Sequence, residues 1–279
     1  MKMSAFRVYV LLSLMSLGVV AAPSTASAQY RPYAANGDAV GEDYHIEAAY
    51  SFWNAEPSLI VNSESLEIVG TDINLIEDLG IVEKRLRAFD VVLRPARKHR
   101  FRFQRLPIKY ETDAFQVTRE FIFNGQRYRI GLPVTTKVDF TTHRFGYEYD
   151  FIYRSKGFLG VLLDLKYTNV DVSLDSPIGA EFVSAAAPIP TLGFVGRGYV
   201  LPNLAINGEV SFFRTPNSLK EQLDGEGRFT DIDVNATFNF NKYVGAKFGY
   251  RRTTVFYDVE FDTGDLEFKG LYFGGVVRY

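Results

Sequence analysis

Residues 229–240 read FTDIDVNATFNF, and from Asp231 onward polar and apolar side chains alternate. Ile232 and Val234 share one parity, whereas Asp231 and Asp233 share the other. A period of two places successive side chains on opposite faces of an extended chain. The stretch therefore predicts a β-strand with one apolar face and one polar face.

The same alternation recurs along the chain and predicts ten strands. They cover roughly residues 44–54, 86–95, 99–111, 135–153, 158–174, 181–201, 204–214, 229–241, 243–261 and 266–279. Short connections are predicted at 96–98, 155–157, 202–203 and 241–242, and longer ones at 55–85, 112–134, 175–180 and 215–228. Short and long connections alternate along the chain, and the short connection at 262–265 is the exception. Short turns at one end and long loops at the other are typical of an up-and-down antiparallel β-barrel.

Composition excludes several classes of protein. Of the 279 residues 47% are hydrophobic and 15% aromatic, which is too much apolar surface for a disordered chain. There is no Cys, which excludes disulfides and Cys-ligated metals. Lys and Arg number 31 against 33 Asp and Glu, so the chain lacks the basic excess that phosphate backbones require. We expect no nucleic-acid partner, no cofactor and no metal.

The first 28 residues have the features of a secretory signal peptide. Lys2 and Arg7 give a positive region before a short apolar run over 8–22, and residues 26–28 (Ala-Ser-Ala) fit a cleavage site. No run of about 18 apolar residues follows, so no membrane-spanning helix is expected. The predicted organisation is a signal peptide at 1–28, a flexible lead-in at 29–43 and a barrel at 44–279.

The polar parity carries many charges, and these decide which face points inward. An Arg or Lys facing lipid costs about 2–4 kcal/mol near the middle of a bilayer, so the charged face should line the interior. The basic residues assigned there are Arg94, Arg100, Arg102, Arg144, Lys166, Arg197, Lys247, Arg251 and Arg278. The acidic residues are Glu47, Asp90, Glu148, Asp150, Asp164, Glu209, Asp231 and Asp233. This near balance of charge favours a network of ion pairs over a selectivity ring of one sign.

Aromatic residues end the apolar face of several predicted strands. They are Tyr44, Tyr50, Phe52, Tyr153, Tyr167, Phe240, Tyr243 and Tyr279. Aromatic belts of this kind are typical of barrels that cross a membrane. A soluble β-sandwich, which also alternates apolar and polar residues, is the alternative fold.

The last strand, LEFKGLYFGGVVRY (266–279), carries a family resemblance. Its outward parity holds Leu271, Phe273 and Val277 and ends at the aromatic Tyr279. In this the chain resembles bacterial outer-membrane β-barrel proteins. The resemblance implies that these four residues form the signal read by the barrel-assembly machinery.

The resemblance also implies a location and a set of partners. The expected fold is all-β, an antiparallel up-and-down transmembrane β-barrel of about ten strands, with eight or twelve as alternatives. The expected location is the outer membrane of a Gram-negative envelope. The expected partners are outer-membrane lipids, lipopolysaccharide and the barrel-assembly machinery, and the protein is expected to be a monomer.

The sequence is compatible with three functions. The leading one is a structural or interaction role with at most slow passage of small solutes. The alternatives are a porin-like channel for small solutes or hydrophobic compounds, and an enzyme acting on lipid or peptide at the extracellular rim. The sequence has three histidines, and no adjacent Asp–His pair of the kind an omptin-type protease would need. We expect no catalysis, and His143 is the best remaining candidate for a base.

Several local features carry weaker expectations. The acidic loop 55–85 is expected to be solvated, and Asn124-Gly125 fits a type I′ hairpin. The alternation is irregular at residues 105–106 and 168–170. These irregularities indicate either β-bulges or strand ends that project above the membrane.

Overall fold

The computed structural model describes residues 39–64, 70–218, 220, 225–259 and 262–279. The predicted signal peptide and the lead-in up to residue 38 lie outside the described residues. Within the described part of the chain, no helix is long and apolar enough to cross a membrane.

Ten long strands form one closed antiparallel barrel, which confirms the predicted fold class. They are β1 (Ile46–Ser63), β3 (Lys84–Ala96), β4 (His99–Gln116), β7 (Pro133–Arg154), β8 (Gly157–Ser176), β9 (Gly179–Leu201), β10 (Leu204–Arg214), β11 (Gly225–Asn239), β12 (Val244–Val259) and β13 (Asp262–Arg278). The barrel closes because β1 pairs with both β3 and β13, with Glu47 opposite Arg278 and Ser63 opposite Asp262. Around the half of the barrel that holds the start of β1, each described long strand is therefore paired on both sides.

Three short strands lie between the long ones. They are β2 (Ile73–Asn74), β5 (Phe121–Phe123) and β6 (Gln126–Tyr128). β2 pairs with β1, whereas β5 and β6 form a hairpin. Asn124 and Gly125 both have positive φ, 48° and 79°, which is the type I′ geometry expected for this turn.

The two ends of the barrel differ. The short-turn end holds the start of β1, the end of β13 and the tight β3–β4, β7–β8, β9–β10 and β11–β12 connections. The opposite, long-loop end holds the connections that include β2 and the β5–β6 hairpin. One loop there is shorter than expected, since only two residues separate β8 from β9.

Most long strands exchange their polar and apolar faces part-way along their length; β9, whose outward face keeps Pro188, Pro190 and Phe182, is the exception. On β8 the outward side chains change from Leu165 and Tyr167 to Asn169, while the inward ones change from Lys166 to Val170. The β7–β8 pairing runs through this point without a shift of register. The irregularity at residues 168–170 is therefore no bulge, and the same holds at residues 105–106 on β4. Both positions mark strands that continue beyond the lipid.

The last outward apolar residues before the exchange form a ring around the barrel. This boundary ring consists of Phe52, Phe89, Phe103, Phe145, Tyr167, Leu192, Phe212, Ile232, Tyr250 and Leu271. Seven of these ten are aromatic, as expected at a membrane–water interface. Below the ring the outer surface suits hydrocarbon. Above it the outer surface is polar on most strands, with β9 as the exception, and the interior is largely apolar.

The boundary ring predicts that substitution by Arg destabilises the protein to different extents at two outward positions of β11. Val234→Arg, which places a charge below the ring, should lower the free energy of unfolding by about 2 kcal/mol or more, because the guanidinium meets hydrocarbon. Thr230→Arg, just above the ring, should cost less than about 1 kcal/mol. Urea unfolding in lipid vesicles measures both. Equal costs would show that the ring does not mark the lipid boundary.

Candidate functional site: a barrel interior closed at both ends

The structure brings the sequence-assigned charges together inside the lower half of the barrel. Each lies on the inward parity of its strand, and none has an exposed side chain. They form three connected clusters of ion pairs with buried hydroxyls and amides between them.

Asp231 is the centre of the first cluster. Its carboxylate accepts two hydrogen bonds from Arg251, at 2.9 and 2.8 Å, and lies 3.2 Å from Nζ of Lys166. The Thr253 hydroxyl donates a further bond of 2.8 Å. Both oxygens are thus satisfied by strands on different sides of the barrel, with Asp231 only 4% exposed. One carboxylate neutralises two buried cations.

A second cluster alternates guanidinium and carboxylate groups across β4, β7, β8 and β10. Glu209 pairs with Arg102 at 3.0 Å and with Arg144 at 2.5 Å. Arg144 also contacts Asp164 at 2.8 Å. Arg102 extends the chain to Glu148 at 3.0 Å. Because Arg102, Arg144 and Glu209 each contact two partners, the cluster cross-links four strands.

The third cluster lies towards the short-turn end. Arg278 pairs with Glu47 at 2.5 Å, so the final strand is tied to the first. Arg197 contacts the same carboxylate at 3.4 Å. Arg100 contacts both Glu148 and Asp150 at 2.5 Å, which joins this cluster to the second. Ion pairs and closure of the sheet therefore act on the same strands.

Glu42 is an interior residue that the sequence analysis placed in the flexible lead-in. It is 3% exposed, and its carboxylate contacts Arg94 at 3.5 Å, Arg100 at 3.1 Å and Arg197 at 3.2 Å. Residues 39–43 thus fold into the short-turn end instead of hanging free. The sequence did hold a signal, because nine basic and eight acidic interior residues leave one cation over. Glu42 supplies the missing carboxylate and covers this end of the interior.

The upper half of the interior is an apolar core. Its inward residues come from the long strands above the boundary ring and are almost fully buried. They include Trp53, Leu59, Leu86, Leu106, Ile108, Val138, Phe140, Val172, Leu174, Phe229, Val255, Leu266 and Phe268. The aromatic rings of Tyr110 and Phe268 are stacked, with centroids 6.5 Å apart. This core leaves the upper barrel filled.

Two segments from the long loops cap this core. Residues 70–82 contribute Ile73, Leu75, Leu79 and Ile81, each at most 1% exposed. The β5–β6 hairpin contributes Phe121, Phe123 and Tyr128, which are equally buried. The expectation of a solvated loop over 55–85 is therefore wrong for residues 70–82, because their apolar side chains pack into the barrel. Asp72, Glu77 and Val82 are the residues of this segment that are exposed to water.

Polar contacts hold the cap together. Arg119 lies 2.7 Å from Asp78 and donates a hydrogen bond of 2.7 Å to the carbonyl of Asp72. The hydrogen bond to Asp78 raises the pKa of Arg119 above its ordinary value, so this guanidinium stays charged. Burial, with Glu181 nearby, raises the pKa of Tyr128 to about 12 and keeps its hydroxyl neutral. Asn124 ties the hairpin to β9 through a bond of 2.8 Å to Glu181.

A polar cavity of about 120 Å³ lies below the apolar core. It is lined by side chains of the ion-pair clusters, including Asp90, Glu209, Asp233, Lys247 and Arg251. The Tyr272 hydroxyl donates a bond of 2.7 Å to Asp233. A space of this size and polarity suits a few water molecules.

Two of the three histidines have a recorded polar contact, one to a carbonyl oxygen and one to a phenol hydroxyl. Nδ1 of His45 lies 3.3 Å from the carbonyl oxygen of Arg94, and Nδ1 of His99 lies 2.6 Å from the hydroxyl of Tyr147. His143 faces outward beside Arg105 and contacts neither a carboxylate nor a serine in the described chain. Within the described ranges, no group of three His, Asp or Glu residues could hold a metal ion.

The last strand presents its apolar parity to the outside. Leu271, Phe273 and Val277 are 50%, 42% and 55% exposed, and Tyr279 is 84% exposed. These are the four residues that the family resemblance links to barrel assembly. They are accessible along the outer wall, on β13 beside the closing strand β1.

Comparison with solved structures identifies the fold. The outer membrane protease OmpT from Escherichia coli matches with a TM-score of 0.55 and 8% identity, over 84% of this chain and 96% of that one. The chain has the fold of the outer-membrane β-barrel proteins. Ail, the attachment invasion locus protein of Yersinia pestis, matches 84% of this chain and 99% of its own at 8% identity, with a TM-score of 0.37. The toluene transporter TodX of P. putida matches 84% and 90% at 7% identity, with a TM-score of 0.35.

Comparisons by sequence add no closer relationship. No protein-family model matches the chain, and no curated protein matches it. At these identities the outer-membrane barrel proteins share its fold, and their activities are their own.

Proposed function

We propose that this protein is a sealed barrel of the bacterial outer membrane with a structural or interaction role, carrying at most slow passage of small solutes. The observation that carries the proposal is the packed upper half of the interior. Apolar side chains pack the upper half, ion pairs cross the lower half, and Glu42 covers the short-turn end. Eight strands enclose just enough room for side chains and about 16–18 leave an aqueous channel, so ten strands enclose a modest volume.

The proposed orientation in the membrane follows from the lengths of the connections at the two ends of the barrel. In barrels of this fold class the short turns face the periplasm and the long loops face outside. The cap of residues 70–82 and the β5–β6 hairpin would then stand above the outer leaflet on a rigid apolar core. We propose this folded platform as the surface that interacts with partners.

The alternatives receive less support. A channel would need a continuous path, and the core above the boundary ring is packed with buried side chains. A catalytic site at the rim would need a histidine beside an acid or nucleophile, and His143 points outward. The proposal therefore includes no enzymatic activity. It does include folding by the barrel-assembly machinery through Leu271, Phe273, Val277 and Tyr279, and a monomeric state.

Single-channel recording tests the closed interior. The folded protein, verified by a gel shift between unheated and boiled samples, should produce no unitary current steps in planar bilayers. Liposomes that contain it should swell in small sugars at nearly the rate of protein-free liposomes. A general porin reconstituted in the same way provides the positive control. A steady unitary current from the folded protein would overturn the proposal in favour of a channel.

A further inference from the structure

Two outward arginines just above the boundary ring have no partner of opposite charge. Arg87 on β3 and Arg105 on β4 are exposed, and neither makes an ion pair or side-chain hydrogen bond within the described residues. Four other outward cations of the upper wall do have acidic partners. Lys109 pairs with Asp139, Lys137 with Glu111, and both Arg252 and Lys269 with Glu267.

The sheet places the two arginines close together in surroundings without acids. Arg105 lies opposite Phe89 on β3 and opposite His143 on β7. Arg87, two residues along from Phe89, lies opposite Phe52 on β1. Diagonal neighbours of this kind are about 7–8 Å apart, within reach of two long side chains closing on one anion. None of their register neighbours is a carboxylate.

The surface directly below this pair is apolar and exposed. Phe101 is 52% exposed, Phe145 56%, Leu93 45% and Phe89 42%. A ligand that fits both levels must combine anionic groups at the height of the arginines with hydrocarbon chains alongside these side chains. Guanidinium groups bind phosphate through paired, charge-assisted hydrogen bonds.

We propose that Arg87 and Arg105, assisted by His143, form a binding site for the phosphates of the glycolipid that makes up the outer leaflet, lipopolysaccharide. The acyl chains lie against the exposed Phe101 and Phe145 below the ring. The site lies on the outer wall, so it depends on the proposed membrane location and orientation but not on the closed interior. A conducting barrel could still bind this lipid, and a silent one could fail to.

A matched pair of double variants tests the site. Arg87→Gln/Arg105→Gln removes the two unpartnered charges, and Arg252→Gln/Lys269→Gln removes two charges just above the ring that already have a partner. Native mass spectrometry in detergent, with deep-rough lipopolysaccharide bearing both lipid A phosphates, measures binding. Losing two charge-assisted contacts should raise Kd at least about tenfold in the first variant, against less than about threefold in the control. The gel shift on boiling verifies that both variants fold.

Three further ligands identify the source of the phosphate. Dephosphorylated lipopolysaccharide should bind the unaltered protein about as weakly as the intact glycolipid binds the first variant. Phosphatidylglycerol should bind more weakly than the glycolipid, and millimolar inorganic phosphate should not displace it. Equal weakening in the two double variants would overturn the site. Equal binding of phosphatidylglycerol and lipopolysaccharide would overturn the assignment to the glycolipid.

Discussion

Asp231→Asn should lower the free energy of unfolding by about 3–5 kcal/mol, since it leaves buried cations without their counter-charge. The amide keeps the shape of the carboxylate but cannot neutralise Arg251 and Lys166, both of which contact Asp231 in the interior. It also replaces one acceptor oxygen by a donor facing other donors. Water cannot easily compensate, because Asp231 is 4% exposed.

Glu267→Gln on β13 is the matched control for this substitution. Glu267 also contacts two cations, Arg252 at 2.7 Å and Lys269 at 3.5 Å, but it lies on the outer wall above the boundary ring. Exposed pairs contribute about 0–1 kcal/mol, so this change should be nearly silent. Urea titration of both variants, refolded into the same lipid vesicles, gives the comparison. Similar losses in the two variants would mean that the interior pairs do not stabilise the barrel.

The strands and their inward faces could be predicted because both depend on local rules. A strand in a membrane barrel must alternate, and lipid fixes which parity is apolar. The rule works best where the strand lies below the boundary ring, as at Val234 and Asp233. It becomes ambiguous above the ring, where water replaces lipid and the same parities exchange their chemistry. The irregularity at residues 168–170 was the visible trace of that exchange.

The cap could not be predicted in the same way. Residues 70–82 carry apolar side chains at irregular spacing among acids, and nothing local says what covers them. Their partners come from strands distant in sequence, as when β2 pairs with β1 and the 70–82 segment contacts Arg119. The many acidic residues of the loop favoured the prediction that it is exposed to solvent. The apolar residues Leu75, Leu79 and Ile81 were the signal in the sequence against a solvated loop.

The resemblance to outer-membrane barrels predicted the fold, but the candidate site could be recognised only from the three-dimensional arrangement of the strands. Charge balance inside the barrel was predicted to within one residue, and Glu42 closes the difference. That Arg87 and Arg105 are diagonal neighbours on the outer wall depends on the β3–β4 register. Sequence parity places both outside. It does not show that these two lack an acidic partner within the described residues, whereas Lys109, Lys137, Arg252 and Lys269 have one.

Phe268→Ala should lower the free energy of unfolding by about 3–5 kcal/mol, because it opens a cavity in the packed core above the boundary ring. The Phe268 ring is fully buried, stacked on Tyr110 and 5.4 Å from the ring of Phe140. Phe182→Ala on β9 is the control, since that side chain is 71% exposed and its loss should cost less than about 0.5 kcal/mol. Urea unfolding in lipid vesicles measures both. If the two losses were equal, the upper barrel would be a hollow extension instead of a core, and the sealed interior would lose its physical basis.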